Sequence, residues 1–342
     1  MTHRPRNLIL TLLLAAVLIS CQQVGPQDQT TTYTGTNGVT MTFEDNSPPR
    51  TVYDDKAFPV SLRLHNRGTT SINDSTGYLH AELNTQNLYY LTPAGTIQPS
   101  TTVELDGKSN VRPRGQEQSV LFGQFQTANR SEIGERQNAE ETVQARICYP
   151  YRTDFSTTLC VENPYDARRN NPLCTAQAAS SYGGSGAPVA VSRIENRMVP
   201  VGQASQVIDR QGLSFYDDRI IGTRDVQEET ERVVQQPVVQ LTVRNVGDGR
   251  PALNDGELCA TETRTANQVR VDASLGNASL TCKPQLVRLG PDGVGTTRCR
   301  DEDQRLTINS NYQSIFSAEL NYNYITTTTK DINIRQRQGF NR

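Results

Sequence analysis

Seven cysteines, three histidines and one acid-rich turn are the residues of this chain whose chemistry could go beyond packing. The cysteines stand at 21, 148, 160, 174, 259, 282 and 299. Zinc binding usually pairs two cysteines two to four residues apart and adds further His or Cys ligands nearby. A thiol redox pair uses Cys-x-x-Cys. The shortest interval here is twelve residues, from Cys148 to Cys160, so neither spacing occurs. A Ser-His-Asp arrangement would need a base, and beyond His3 only His65 and His80 are present, both in strand-like surroundings. Those two read as structural. No Gly-x-Ser-x-Gly, His-Glu-x-x-His, P-loop or dinucleotide fingerprint is found, and GGSG at 183–186 lacks the strand-to-helix context of a phosphate loop. The turn GDGRPALNDGE (247–257) could hold Ca²⁺ through Asp248, Asp255 and Glu257, with a solvated loop as the simpler alternative. No cofactor is expected, and the chemistry left for the cysteines is disulfide formation.

Disulfides require export, and the N-terminus supplies it. Arg4 and Arg6 precede the apolar run LILTLLLAAVLI (8–19). At twelve residues the run is too short for a mature membrane-spanning helix, which needs roughly twenty, and it reads as a secretory signal peptide over 1–20. It ends in Leu18-Ile19-Ser20-Cys21, which resembles the lipobox of prokaryotic lipoproteins, where the Cys thiol receives lipid. Residues 21–37 then read as a lipidated Cys21 followed by a polar, flexible tether.

After the signal, 32 basic residues face 36 acidic ones, because Arg4 and Arg6 leave the total of 34. That balance shows no nucleic-acid footprint. Six cysteines remain, and an even count in an exported chain reads as three bridges. Abundant Thr, Asn, Gln, Val and Tyr, with no Trp, favour strands over helices.

An internal repeat organises the rest. ARICYPYRT (145–153) and AELNYNYIT (318–326) share Ala-x-(Ile/Leu)-x-Tyr-x-Tyr-x-Thr at an offset of 173. FPVSLRLHNRG (58–68) matches QPVVQLTVRNVG (236–247), ending in Asn-x-Gly. With a strand period of two, Ala145, Ile147, Tyr149 and Tyr151 share a buried face, as do Ala318, Leu320, Tyr322 and Tyr324. Cys148 and Cys160 then fall on the outward face, and both align with Asn in the second copy. A hairpin turning near Asp154 would place them opposite each other as a Cys148–Cys160 bridge. The same logic pairs Cys282 with Cys299 around Gly290-Pro291-Asp292-Gly293. Elimination leaves Cys174–Cys259.

The expected fold is all-β: two tandem immunoglobulin-like β-sandwiches of about seven short strands each. The first spans 38–165, 166–187 is a linker, the second spans 188–336, and 337–342 is a loose tail. Residues 126–142 are expected as a loop or short helix, and 226–234 as a short helix. Asn73, Asn129 and Asn277 open Asn-x-Ser sequons, plausible glycosylation points on an exported chain.

The phrases VSLRLHNRG and VQLTVRNVG resemble strands of tandem immunoglobulin-like domains in prokaryotic surface proteins, including the cell-adhesion-related type. Together GVTMTFEDNSPPRTVYDDKAFPVSLRLHNRG, ARICYPYRT, GAPVAVSRIE and AELNYNYI resemble a two-domain family of secreted or lipid-anchored proteins in small-genome archaea. That family carries no assigned activity, so the resemblance implies fold and location and transfers no site residue.

The expectation is a non-catalytic, lipid-anchored cell-surface protein that presents two domains for adhesion, envelope assembly or partner binding. Its partner would be another envelope or cell-surface protein, with membrane contact only through the lipid and no nucleic acid. An accessory lipoprotein of a secretion or filament complex is the first alternative, and a hydrolase with an unfamiliar site the second.

Overall fold

The computed structural model describes residues 34–84, 90–94, 100–128, 138–161, 174, 179–201, 234–254, 266–302 and 311–337. These fall within one compact unit, Thr32–Arg342. The fold is all-β with large antiparallel sheets, consistent with β-sandwich packing. The first half of the chain forms β1 (Val39–Phe43), β2 (Thr51–Tyr53), β3 (Ala57–Asn66), β4 (Leu79–Asn84), β5 (Leu91–Pro93), β6 (Ser100–Val103), β7 (Glu117–Thr127) and β8 (Asn138–Val161). The second half forms β9 (Ser180–Ser181), β10 (Val189–Val201), β11 (Val234–Asn245), β12 (Arg250–Ala252), β13 (Gln268–Leu275), β14 (Ala278–Lys283), β15 (Leu286–Arg288), β16 (Val294–Arg300) and β17 (Tyr312–Arg335).

Strict alternation of apolar and polar residues produces these strands. In β3 the inward series is Phe58, Val60, Leu62 and Leu64, all buried, with Pro59, Ser61, Arg63 and His65 between them. Its repeat partner β11 buries Val239, Leu241 and Val243 in the same way. One sheet has the order β1-β3-β7-β5. A second hydrogen-bonded path runs β6-β4-β8-β17-β13-β14-β16-β11-β10-β9. It turns a corner at β14, which pairs first with β13 and then with β16, a common way for one strand to serve two layers.

The centre of the molecule differs from the expected hairpin. β8 and β17 are single strands of 24 residues each, antiparallel along their entire length from Asn138↔Arg335 to Val161↔Tyr312. No turn occurs at Asp154. The strand continues because β17 pairs with it throughout, and nothing local opposes that: Thr153, Phe155, Leu159 and Val161 are buried, alternating with exposed Asp154, Ser156 and Thr158. No Gly, Pro or Asn interrupts that alternation. Residues 138–142, expected in a loop or helix, form its start. Segment 226–234 lies outside the described residues apart from Val234, which begins β11.

The disulfides follow from this strand. Twelve residues along one strand separate Cys148 from Cys160 by roughly 40 Å, far beyond bonding distance. The Cys148–Cys160 pairing is therefore overturned, and so is Cys174–Cys259: Cys160 bonds Cys174, with Cα atoms 5.8 Å apart. Cys148 is also disulfide-bonded, to a residue outside the described ones. Nor does it face solvent: it is 2% exposed and packs with Ala252 and Ile325. Cys282–Cys299 forms as expected, across the β14–β16 register pair. The Gly290–Gly293 turn closes with a Gly293 N–H to Gly290 carbonyl bond of 2.9 Å.

Candidate functional site

The pairing of β8 with β17 and the sequence repeat share one symmetry. The repeat equates Tyr149 with Tyr322 and Tyr151 with Tyr324. The register pairs Tyr149 with Tyr324 and Tyr151 with Tyr322. A pseudo-two-fold axis therefore passes through the Pro150↔Asn323 pair. On the inner face, the four tyrosines form a closed ring of contacts with centroids 5.8–6.2 Å apart. All four are at most 2% exposed.

Each hydroxyl is bound by backbone from a loop or from the first residue of a strand. Tyr149 accepts the Val39 N–H at 2.8 Å. Tyr151 accepts the Thr69 N–H at 2.9 Å and donates to the Gly186 carbonyl at 2.9 Å. Tyr322 accepts the Val189 N–H at 3.2 Å and lies 2.9 Å from the Thr153 hydroxyl, which donates to the Val189 carbonyl. Tyr324 accepts the Gly249 N–H at 2.8 Å and donates to Asn245 Oδ1 at 3.1 Å. Burial is the first cause that raises all four phenol pKa values, and the donated N–H bonds lower them only in part.

The Asn-x-Gly phrases explain themselves here. Asn66 Nδ2 donates to the Thr70 carbonyl and Asn245 Nδ2 to the Gly249 carbonyl, each four residues on. A Cβ at Gly68 would lie 2.0 Å from the Tyr151 hydroxyl oxygen, and one at Gly247 would lie 2.4 Å from that of Tyr324. Only glycine lets the loop reach the phenol.

The outer face of the same strands carries the candidate site. A cavity of about 610 Å³ is lined by Thr69–Ser71, Asn73, Ser75, Thr76, Pro150–Arg152, Asp154, Asn254, Glu319 and Asn321. Both halves contribute to it, just to one side of the pseudo-two-fold axis. Thr70 anchors the loop wall by donating to the Arg152 carbonyl at 2.6 Å. Arg152 pairs with Asp154 at 3.2 Å, and Asn321 donates to Glu319 at 2.7 Å. Asp154 stands directly opposite Glu319, and Arg152 opposite Asn321. The lining is rich in hydroxyl, amide and carboxylate groups, suited to a polar ligand or a polar protein surface.

No protein-family model matches the chain, and no curated protein matches it.

The other sequence candidates lie apart from this groove. His65 binds the Arg114 carbonyl through Nε2 at 2.7 Å and lies 3.8 Å from Glu117. His80 is 3.6 Å from Glu82. Neither lines the cavity. Asp248 is exposed, while Asp255 and Glu257 lie outside the described residues, and among those described no three metal-binding side chains cluster. Asn277 is exposed in the β13–β14 turn; Asn73 accepts hydrogen bonds from Ser75; Asn129 and Cys21 lie outside the described residues. The groove residues were not singled out from sequence. Their signal was the polar face of the two aligned Tyr-x-Tyr strands, around Arg152 and Asn321.

Proposed function

We infer that this chain is a non-catalytic, lipid-anchored surface protein whose two immunoglobulin-like halves present a shared polar groove to another envelope or cell-surface component. The observation that carries this reading is the groove's position. It is assembled from both halves beside their pseudo-two-fold axis, over strands whose inner tyrosines are fixed by backbone and side-chain hydrogen bonds. A preorganised, hydroxyl-rich surface held by a rigid sheet is what recognition needs. Disulfides at Cys160–Cys174 and Cys282–Cys299 are in keeping with an oxidising, exported location.

The hydrolase alternative would recruit Asp154 and Glu319. Glycoside hydrolysis needs one carboxyl sheltered from water, whereas the Asp154 side chain is 56% exposed and ion-paired with Arg152. Two experiments test the proposal. Cys21→Ser should move the protein from the membrane fraction to the soluble exported fraction. A photo-crosslinking residue at Asn321 or Thr76, on intact cells, should capture one defined envelope component that a probe at exposed Ser279, away from the groove, does not. Equal capture at all three positions, or none, counts against the groove. Unchanged fractionation counts against the anchor.

A further inference from the structure

The second half carries a basic face that its duplicate lacks. On the solvent side of β10, β11, β16 and β14 the polar outward residues include Arg193, Glu195 and Arg197; Gln240, Thr242 and Arg244; Thr296, Arg298 and Arg300; and Thr281 and Lys283, with Val199, Val238 and Val294 among them. Six basic side chains there face two acids, Glu195 between Arg193 and Arg197, and Glu302 between Lys283 and Arg300. Asp292, in the turn at the far end, holds the Val294 N–H, and Asp301 is buried. Lys283 stands directly opposite Arg298 across the sheet, an arrangement that costs stability.

The corresponding face of the first half, on β1, β3 and β7, is an internal control. It carries one arginine, Arg63, held by both Glu44 and Glu117. Where β16 places Arg298 opposite Gln240, β7 places Leu121 opposite Ser61. Duplication kept the sheet and changed the charge, so the basic face is not a by-product of the fold.

We propose that this face rests on the anionic headgroups of the membrane that carries the protein. Four adjacent strands give a face roughly 15 Å wide, and charges spread over the width of a sheet suit a planar partner. The choice of a membrane as occupant rests on the anchored reading. The sixteen residues between Cys21 and Gly38 reach at most roughly 55 Å, so the lipid keeps the face near the bilayer. A basic patch is the second signal that strengthens such anchoring.

The test uses the exported Cys21→Ser full chain, so that no acyl group carries it onto lipid. It is sedimented with phosphatidylcholine vesicles, with and without phosphatidylglycerol, at low salt and at about 0.5 M salt, where screening is effective within about 4 Å. Binding to the anionic vesicles alone, released by salt, is expected. Arg298→Gln with Arg300→Gln should lower partitioning about thirtyfold, at about fivefold per charge, while Arg63→Gln leaves it unchanged. Circular dichroism checks folding of the variants, and the lipid and salt dependence of the unsubstituted face stands independently of them. Equal binding to neutral vesicles, no binding to anionic ones, or a folded double variant that binds as before overturns the proposal. So does retention on dextran sulfate without vesicle binding, which would assign the face to a soluble polyanion. Because no lipid anchor is present in this assay, its failure and a failure of the anchor are read separately.

Discussion

At the scale of single residues, the tyrosine ring makes the chain sensitive to alkali. Tyr149, Tyr151, Tyr322 and Tyr324 hold their protons in the fold because burial raises their pKa values, whereas in the unfolded chain they ionise near pH 10. Their contribution to stability is therefore complete below about pH 10 and falls as pH rises beyond it, by about 1.4 kcal/mol per pH unit for each. Each keeps contributing until pH reaches its own folded pKa, so the fold should weaken steadily as pH rises above about 10. Phenolate absorbance should show these four appearing only as the circular dichroism signal is lost. A single smooth titration of all 13 tyrosines with the fold intact would contradict it. A second prediction concerns the pair Gly68 and Tyr151. Gly68→Ala forces a methyl into the Tyr151 hydroxyl and should cost about 1–3 kcal/mol. Tyr151→Phe removes that oxygen and leaves the Thr69 N–H with the Gly186 carbonyl alone, at 3.1 Å, costing about 0.5–1.5 kcal/mol. The double variant should cost less than the sum, because the clash and the hydroxyl vanish together. Denaturant titration of the four proteins measures the difference, and strict additivity would break the link.

At the scale of elements, the decisive one is β8. Replacing Cys160 and Cys174 by Ser opens a loop whose closure is worth about 3 kcal/mol, and the thermal midpoint should drop accordingly. Peptide mapping of the unreduced protein should recover Cys160–Cys174 and Cys282–Cys299. By counting exported cysteines, it should also join Cys148 to Cys259, and a free Cys148 would refute that. Period-two alternation identified β1 and β3 and put the four tyrosines of β8 and β17 inside, because each strand has one wet and one dry face. Strand length was not legible in the same way. A hairpin and a continuous strand share one alternation, and the choice between them at Asp154 depends on a partner 165 residues away, Glu319. Pairing two cysteines by turn geometry failed for that reason at Cys148 and succeeded at Cys282, where Gly290–Gly293 makes a real turn. The groove was hidden more deeply, since its wall residues Thr69–Thr76 join it through tertiary contact alone.

At the scale of the molecule, β8 and β17 each belong to both halves. One buried apolar cluster includes Val60 and Leu62 of the first half and Leu241 and Val243 of the second. Calorimetry should therefore record one cooperative transition, not the two expected of independent domains. A chain ending at 187 would leave all of β8 without its β17 ladder, only Gln144–Cys148 still paired, to β4, and Tyr151 without Tyr322, and should associate or precipitate on size-exclusion chromatography. Two well-separated heat-absorption peaks, or a monodisperse monomeric first half, would show that the strand pair is dispensable.

The strand pair also has a mechanical consequence. Force applied lengthwise, on one end of β8 against the far end of β17, would load the two backbones in shear. Sliding one strand past the other strains the ladder's 24 registered pairs in parallel instead of opening them one by one. Loaded in that direction the pair resists as a tie-rod does, whereas a pull across the strands would unzip it.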